Sequence, residues 1–433
     1  MRTIFLLSAV FLAAIPFAAT LLPVQAESQA VETGGAEAVW PQWRGPTRDG
    51  VVAGTAWPEK LEGDALQQIW RIENLGPSYS GPIVASDRVF TTQTIDRKTE
   101  VATAHDRKTG KELWRASWEG SITVPFFAAK NGSWIRSTPA YDGKTLYVAG
   151  IRDVLVALDG RTGAELWRLD FVKELGTSPP DFGFVSSPLV DDTGVYVQAG
   201  GSFVKVDKKT GKIAWRTLKD GGGMMGSAFS SPVFARIGGR EQVLVQTRTR
   251  MAGVDPGTGD ELWSREIPSF RGMNILTPLP YGEGVFTSTY GGNTRLLRLE
   301  RDGQKFKVED AWNIRYEGNM TTPVVAAGHA YFLGKDKRLI CVNLQSGKEV
   351  WRSEERFGDY WSMAVNRDRL LALDQRGILY LFRIDGADYE LLDKRKVAGV
   401  ETWAHIAVCG DELYIRDLEG LTAWRWTAKK PGR

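Results

Sequence analysis

The chain has 433 residues, 42% of them apolar and 25% charged, with 55 basic against 52 acidic side chains and a net charge of +3. That apolar content suffices for a large core, and a near-balanced charge with no basic block argues against nucleic acid as a partner. Length alone would divide the chain into two or three domains, but a repeat running almost end to end implies one architecture instead.

In chain order, Arg2, the mostly apolar run Ile4 to Leu22 and the small residues of Val24-Gln25-Ala26 before Glu27 read as a secretion signal over residues 1–26. An uncleaved membrane anchor is the alternative. No Cys follows the run to carry a lipid, and no other stretch is long enough to span a bilayer. A periplasmic or secreted protein is expected, with no membrane span once the signal is removed. Residues 27–65 combine a polar leader with three tryptophans, Trp40, Trp43 and Trp57, set among prolines. Such a segment suits neither a helix nor a strand, so it is expected to pack as a strap on the core; a plug or a partner-binding segment is the alternative.

Gln67 to Ile72 is the first strand, with the pair Trp70-Arg71 but no hairpin before it. Then a motif recurs: Asp106 to Gly110 and Trp114, Asp159 to Gly163 and Trp167, Asp207 to Gly211 and Trp215, Asp255 to Gly259 and Trp263, and Asn343 to Gly347 and Trp351. Each copy reads as strand, tight turn, strand. The Asp or Asn side chain can bond its own turn, the Gly can take positive φ, and the Trp carries a large apolar face to bury. A period of about 40–50 residues with several short strands per unit marks a β-propeller.

The blades count off as 79–115, 135–168, 184–216, 227–264, 275–313, 320–352 and 361–397. The eighth combines Trp403 to Trp426 with the first strand, which removes the edges an open array would leave. Seven blades is the alternative if the degenerate seventh unit, with Asp385-Gly386 at its turn and no Trp, pairs differently. Cys341 and Cys409 fall in non-adjacent blades and are expected as buried free thiols, although an exported protein could form a disulfide. Most blades open on a Ser/Thr-Pro motif, such as Ser137-Thr138-Pro139 and Thr321-Thr322-Pro323. Those hydroxyls should ring one channel mouth, bonding backbone at crowded strand starts or lining a funnel for water or ligand.

Ala157-Leu158-Asp159, Thr162-Gly163 and Trp167, with the other copies, resemble the tryptophan-docking repeat of the quinoprotein (PQQ-like) propellers over about residues 66–426. The resemblance implies that each Trp packs between neighbouring blades. It also implies one of two branches. One is a non-enzymatic scaffold such as the outer-membrane assembly lipoprotein of the β-barrel machinery. The other is a dehydrogenase holding pyrroloquinoline quinone through calcium. The enzymatic branch typically has a vicinal disulfide, which this chain lacks, as it lacks Cys-x-x-Cys-His for haem. Asp181, Glu317, Asp359 and Glu401 lie near loops without a legible pairing. No cofactor is predicted, with quinone and calcium as the alternative.

No catalytic motif and no metal spacing appear. Long links before blades two to four should build a wall with Phe126, Phe127, Trp134, Phe182, Met224 and Met225, facing Arg271, Asn274, Asn319, Tyr360, Trp361, Trp403 and His405 across the mouth. Aromatic and Met side chains on loops over a rigid ring suit a protein or peptide partner. The expected protein is therefore a monomeric, non-catalytic propeller, for which the resemblance implies a role in envelope or outer-membrane protein assembly, with an altered quinone enzyme or a glycan binder as alternatives.

Overall fold

The computed structural model describes residues 38–126, 129, 132–220 and 228–427. The proposed signal, most of the leader, Phe127, Met224 and Met225 lie outside the described residues. Among the described residues, strands form eight four-stranded antiparallel sheets arranged as an eight-bladed propeller. No helix among them is long and apolar enough to cross a membrane.

Blade two illustrates how local sequence sets the unit. Ala140–Tyr141, Thr145–Gly150, Val154–Asp159 and Glu165–Asp170 pair in order from the axis outward. The two middle strands are buried almost throughout, because neighbouring blades cover both faces, whereas the outermost is largely exposed. The turn before the outer strand is held by Asp159, whose Oδ1 accepts from Arg161 N at 3.0 Å, Thr162 N at 2.8 Å and Thr162 Oγ1 at 2.8 Å. A bulge follows Ala157, the residue paired with Trp167. Equivalent bulges follow Ala104 opposite Trp114 and Cys341 opposite Trp351. A bulge bends the outer strand locally, and here it lies between the turn and the Trp.

The tryptophans bridge blades. Trp114 Nε1 of blade one donates to Gly160 O in the turn of blade two at 3.0 Å, and Trp167 Nε1 donates to Lys208 O of blade three at 2.9 Å. Trp215 and Trp312 reach Pro256 O and Leu344 O of the next blades in the same way. The turn glycine makes the approach possible. Gly163 has φ +75°, and a Cβ there would stand 2.6 Å from Trp114 Cε3. Where the next blade lacks a Thr-Gly or Ser-Gly turn the pattern changes. Trp263 donates to Gln242 Oε1 of its own blade at 2.6 Å, and Trp351 packs at a tilt against Tyr389 of blade seven, 4.8 Å between ring centres.

The ring closes through the first strand. Leu66–Ile72 pairs antiparallel with Leu421–Trp426, joining Ala407–Cys409 and Glu412–Arg416 as blade eight. Trp70 Nε1 then donates to Arg107 O of blade one at 2.9 Å, so the junction between last and first blades is built like the others. Blade seven has four regular strands, from Trp361–Asn366 to Tyr389–Lys396. Cys341 and Cys409 are buried free thiols.

Candidate functional site

The segment from Trp40 to Trp57 crosses the end of the channel on the Thr-Gly turn side. Trp40 bridges Val84 of blade one at the outgoing end of its innermost strand, and Pro41 O accepts from Tyr141 N of blade two. Arg48 donates to Ser187 O and Pro188 O of blade three, and Arg44 Nη2 to Pro323 O of blade six at 2.5 Å. Trp43 Nε1 reaches Thr277 Oγ1 of blade five at 3.1 Å, and its ring meets His405 of blade eight edge-on at 4.9 Å. Val52 N donates to Val365 O of blade seven, and Trp57 stacks on Trp426 of blade eight. The strap thus ties distant blades across the axis.

Arg44 and Arg48 are the chemical core of this plug. Both are essentially fully buried, and both hold left-handed backbone with φ of 60° and 62°. That conformation costs an L-residue about 1–2 kcal/mol, a strain that persists where surrounding contacts over-determine it. Their guanidinium groups are satisfied mainly by backbone carbonyls rather than a carboxylate. Burial pushes Arg44 down to about 10, and burial and then Arg44 push Arg48 down to about 9.

Above the plug lies an axial cavity of about 230 Å³, lined from all eight blades. Tyr79, Arg136, Val185, Phe229, Ile275 and Met320 each stand three residues before a blade-opening Pro, and all six line it. Tyr360 and Trp403 hold the same place in blades seven and eight, where Met363 and Ile406 replace the Pro. Trp43 and His405 also line it, with Phe182, Met273 and Trp361. Four aromatics make a continuous arc at one side: Tyr360 stacks on Trp403 at 5.5 Å, Trp403 lies 5.4 Å from Tyr79, and Trp134 meets Tyr79 edge-on at 5.6 Å. Arg136 lies over the Tyr79 ring at 5.3 Å. Burial drives His405 down to about 3, assisted by Arg44, so its ring is neutral; burial raises the Tyr79 phenol to about 12.

The hydroxyls below this ring serve as a belt. Gly81 N donates to Thr138 Oγ1, Thr138 N to Ser187 Oγ, Ser187 N to Ser231 Oγ and Thr277 N to Thr322 Oγ1, at 2.9–3.1 Å. Each bond runs from one blade to the next, which favours the structural account of the Ser/Thr-Pro motif.

Of the residues expected at the mouth, Phe182, Tyr360, Trp361, Trp403 and His405 line the cavity, and Trp134 supports Tyr79 from behind. Besides Trp134, four others do not line it. Phe126 is 90% exposed on the link before blade two. Arg271 turns its guanidinium over Phe270, at 5.1 Å, while its carbonyl accepts from Arg248. Asn274 Nδ2 donates to the carbonyls of Thr247, Arg248 and Ile267, and Asn319 Nδ2 to Asp359 O; both amide nitrogens brace loop backbone, although Asn274 Oδ1 is buried without a partner among the described residues. The loop carboxylates are scattered: Glu317 pairs with Lys335, Asp359 with Lys337, Glu401 accepts from Trp403 Nε1, and Asp181 lines a separate cleft. The ring of Tyr79, Arg136, Val185, Phe229, Ile275 and Met320 was missed by position; its fixed offset from the Pro is the signal that could have found it.

This geometry defines a closed eight-bladed propeller with one end of its channel plugged and an aromatic pocket at the other. The chain belongs to the family of outer membrane protein assembly factor BamB, whose sequence profile matches residues 97–353. It is 24% identical over 338 residues to that factor from Shewanella oneidensis, covering 74% of this chain and 78% of the relative. In fold it is similar to the crystal structure of BamB from Moraxella catarrhalis, with a TM-score of 0.59 and 14% identity over 85% of this chain and 99% of the other. It is equally similar in fold to a quinohemoprotein alcohol dehydrogenase from Pseudomonas putida, with a TM-score of 0.60 and 13% identity over 92% and 82% of the two chains.

The second likeness raises the fit of a calcium-held quinone. The cavity lining contains no Asp or Glu to give calcium its oxygen ligands. Among the described residues, no group of three or more His, Cys, Asp or Glu stands where it could hold a metal ion. The two thiols lie on different blades. The donor set of this pocket does not fit that group.

Proposed function

We propose that this protein is a periplasmic, non-catalytic scaffold that binds protein chains during outer-membrane protein assembly, through the mouth opposite the strap. The observation that carries the reading is the axial pocket. Eight links from eight blades converge on one mainly apolar, aromatic surface that includes Met273 and Met320, held by a rigid ring and closed at its base. Aromatic anchors in a preformed concavity are what concentrate binding energy in protein recognition. Family membership supplies the process, and the same membership makes protein partners the expected ligands. The stacked arc Tyr360–Trp403–Tyr79 presents its ring faces to itself, which leaves less flat surface for sugar stacking and favours protein over glycan.

The test is affinity capture from the envelope fraction with the wild type and with Trp403→Ala, which strips the centre of the arc, against Thr162→Ala on the turn face. The reading expects outer-membrane proteins or their assembly machinery to be retained by wild type and Thr162→Ala and lost with Trp403→Ala. Equal retention by all three, or turnover of an alcohol on addition of quinone and calcium, would overturn it.

A further inference from the structure

The axial pocket combines a particular charge with a particular shape. Arg136 is its lining cation, and no lining residue is a carboxylate. Arg136 Nη2 donates to Gly132 O at 2.6 Å, but Nε is buried with no partner among the described residues. No ion pair is formed by Arg136, Arg44 or Arg48 among the described residues. Arg44 has two further buried nitrogens, Nε and Nη1, without partners there. It acts electrostatically on both Tyr360 and His405 of the pocket, adding to the burial that keeps the His405 ring neutral. The lining hydroxyls are already engaged: Ser187, Ser231, Thr322 and Ser362 each receive a backbone N–H. Among the lining residues, the donors left buried without a partner among the described residues are thus the neutral Trp361 Nε1 and the Arg136 Nε; of the two only the guanidinium is charged, and it pairs best with a carboxylate. A buried cation left unpaired is costly, so an arriving anion gains from relieving it.

The shape selects further. The strap closes the channel beneath Trp43, so the cavity is blind. A polypeptide cannot thread it, and a cavity of about 230 Å³ admits a side chain with its local backbone rather than a folded element. An internal Asp or Glu would have to bring two flanking chain directions through one mouth. A chain end brings one.

We infer that the pocket captures the free C-terminus of a partner polypeptide, with an apolar last side chain against the Phe182, Phe229, Met273 and Met320 wall and the terminal carboxylate on Arg136. This deepens the scaffold reading and rests on it. The recognition mode is capture of a terminal carboxylate, here in a side-chain pocket. The same chemistry, an apolar body bearing a carboxylate, also occurs in free small acids, so the experiment separates the two sources.

Full-length protein is titrated by calorimetry with a decapeptide ending in Leu or Phe as the free acid, with the same peptide amidated, and with 3-phenylpropionate. The free acid is expected to bind at least ten-fold more tightly than the amide, and more tightly than 3-phenylpropionate. Arg136→Met, which keeps the apolar stem, should abolish the preference for acid over amide. Thermal unfolding of that variant verifies that the ring is intact. The inference is overturned if acid and amide bind equally, if neither binds, if Arg136→Met keeps the discrimination, or if 3-phenylpropionate binds as tightly as the peptide. Those results leave the scaffold reading standing as long as envelope capture still depends on Trp403; loss of that dependence removes both.

Discussion

Replacing Gly163 by Ala tests the contact between blades one and two at the level of single atoms. Two costs add. The residue holds φ +75°, which costs an L-residue about 1–2 kcal/mol. The new Cβ would stand 2.6 Å from Trp114 Cε3 and 2.7 Å from Cδ2, about 1 Å inside a normal carbon contact. The indole must therefore retreat from the turn. It is 8% exposed, with Phe90 at 5.8 Å, so overpacking costs about 1–3 kcal/mol. Retreat also stretches the bond to Gly160 O, a loss of about 1 kcal/mol. The sum is about 4 kcal/mol. Gly143→Ala is the matched control, since Gly143 has φ +93° but no atom within 4 Å of a built Cβ; it should cost only about 1–2 kcal/mol. Urea unfolding followed by near-ultraviolet circular dichroism measures both. In a Trp114→Leu background the cost of Gly163→Ala should fall to that of the control, which is the signature of direct coupling. Equal costs for the two glycines, or a cost of Gly163→Ala independent of Trp114, would refute the idea that the turn glycine exists to admit the indole.

Two further outcomes follow from the strap and the pocket floor. Arg48→Met should free the strap locally: it removes bonds to Ser187 O and Pro188 O, each worth about 1.5–3 kcal/mol for a charged donor. Hydrogen exchange should then speed up at the Gly50 and Val52 amides, with blade-strand amides unchanged. His405 bears on pH. Its folded pKa lies at about 3, below the ordinary 6.5, so the neutral ring stabilises the fold above pH 6.5 and that stability is lost as pH falls toward 3. Relative to His405→Asn, the wild type should lose about 2 kcal/mol between pH 6.5 and pH 5, read as a widening gap between their urea midpoints.

The fold was legible because its determinants are local. Asp159, Thr162, Gly163 and Trp167 lie within one hairpin, and each acts through neighbours in sequence or through the identical turn of the next copy. Ring closure could be read from Trp70-Arg71, which has the outer-strand signature without its hairpin. The site was legible only in part. Asn274 and Asn319 look like binding residues in a polar loop, yet their amide nitrogens are spent on backbone carbonyls, a choice sequence does not record. Tyr79, Arg136 and Phe229 were hidden by their diversity: the eight equivalent positions carry Tyr twice and Arg, Val, Phe, Ile, Met and Trp once each, so residue type gives no pattern and only the offset from the blade-opening position does. The strap's tryptophans were recognisable as side chains needing burial. Their destinations were not, because Trp43 meets Thr277 and Arg44 meets Pro323 across hundreds of residues.

The account stands on a division of labour between the two ends of the channel, one closed by the strap and one left to bind. Site-specific photocrosslinking addresses it directly, with benzoylphenylalanine at Phe126 on the link side or at Lys209 on the turn side, irradiated in the envelope fraction. The division predicts partner adducts from position 126, competed by excess free-acid peptide, and none from position 209. Adducts from position 209 alone would place binding on the strap face and contradict it.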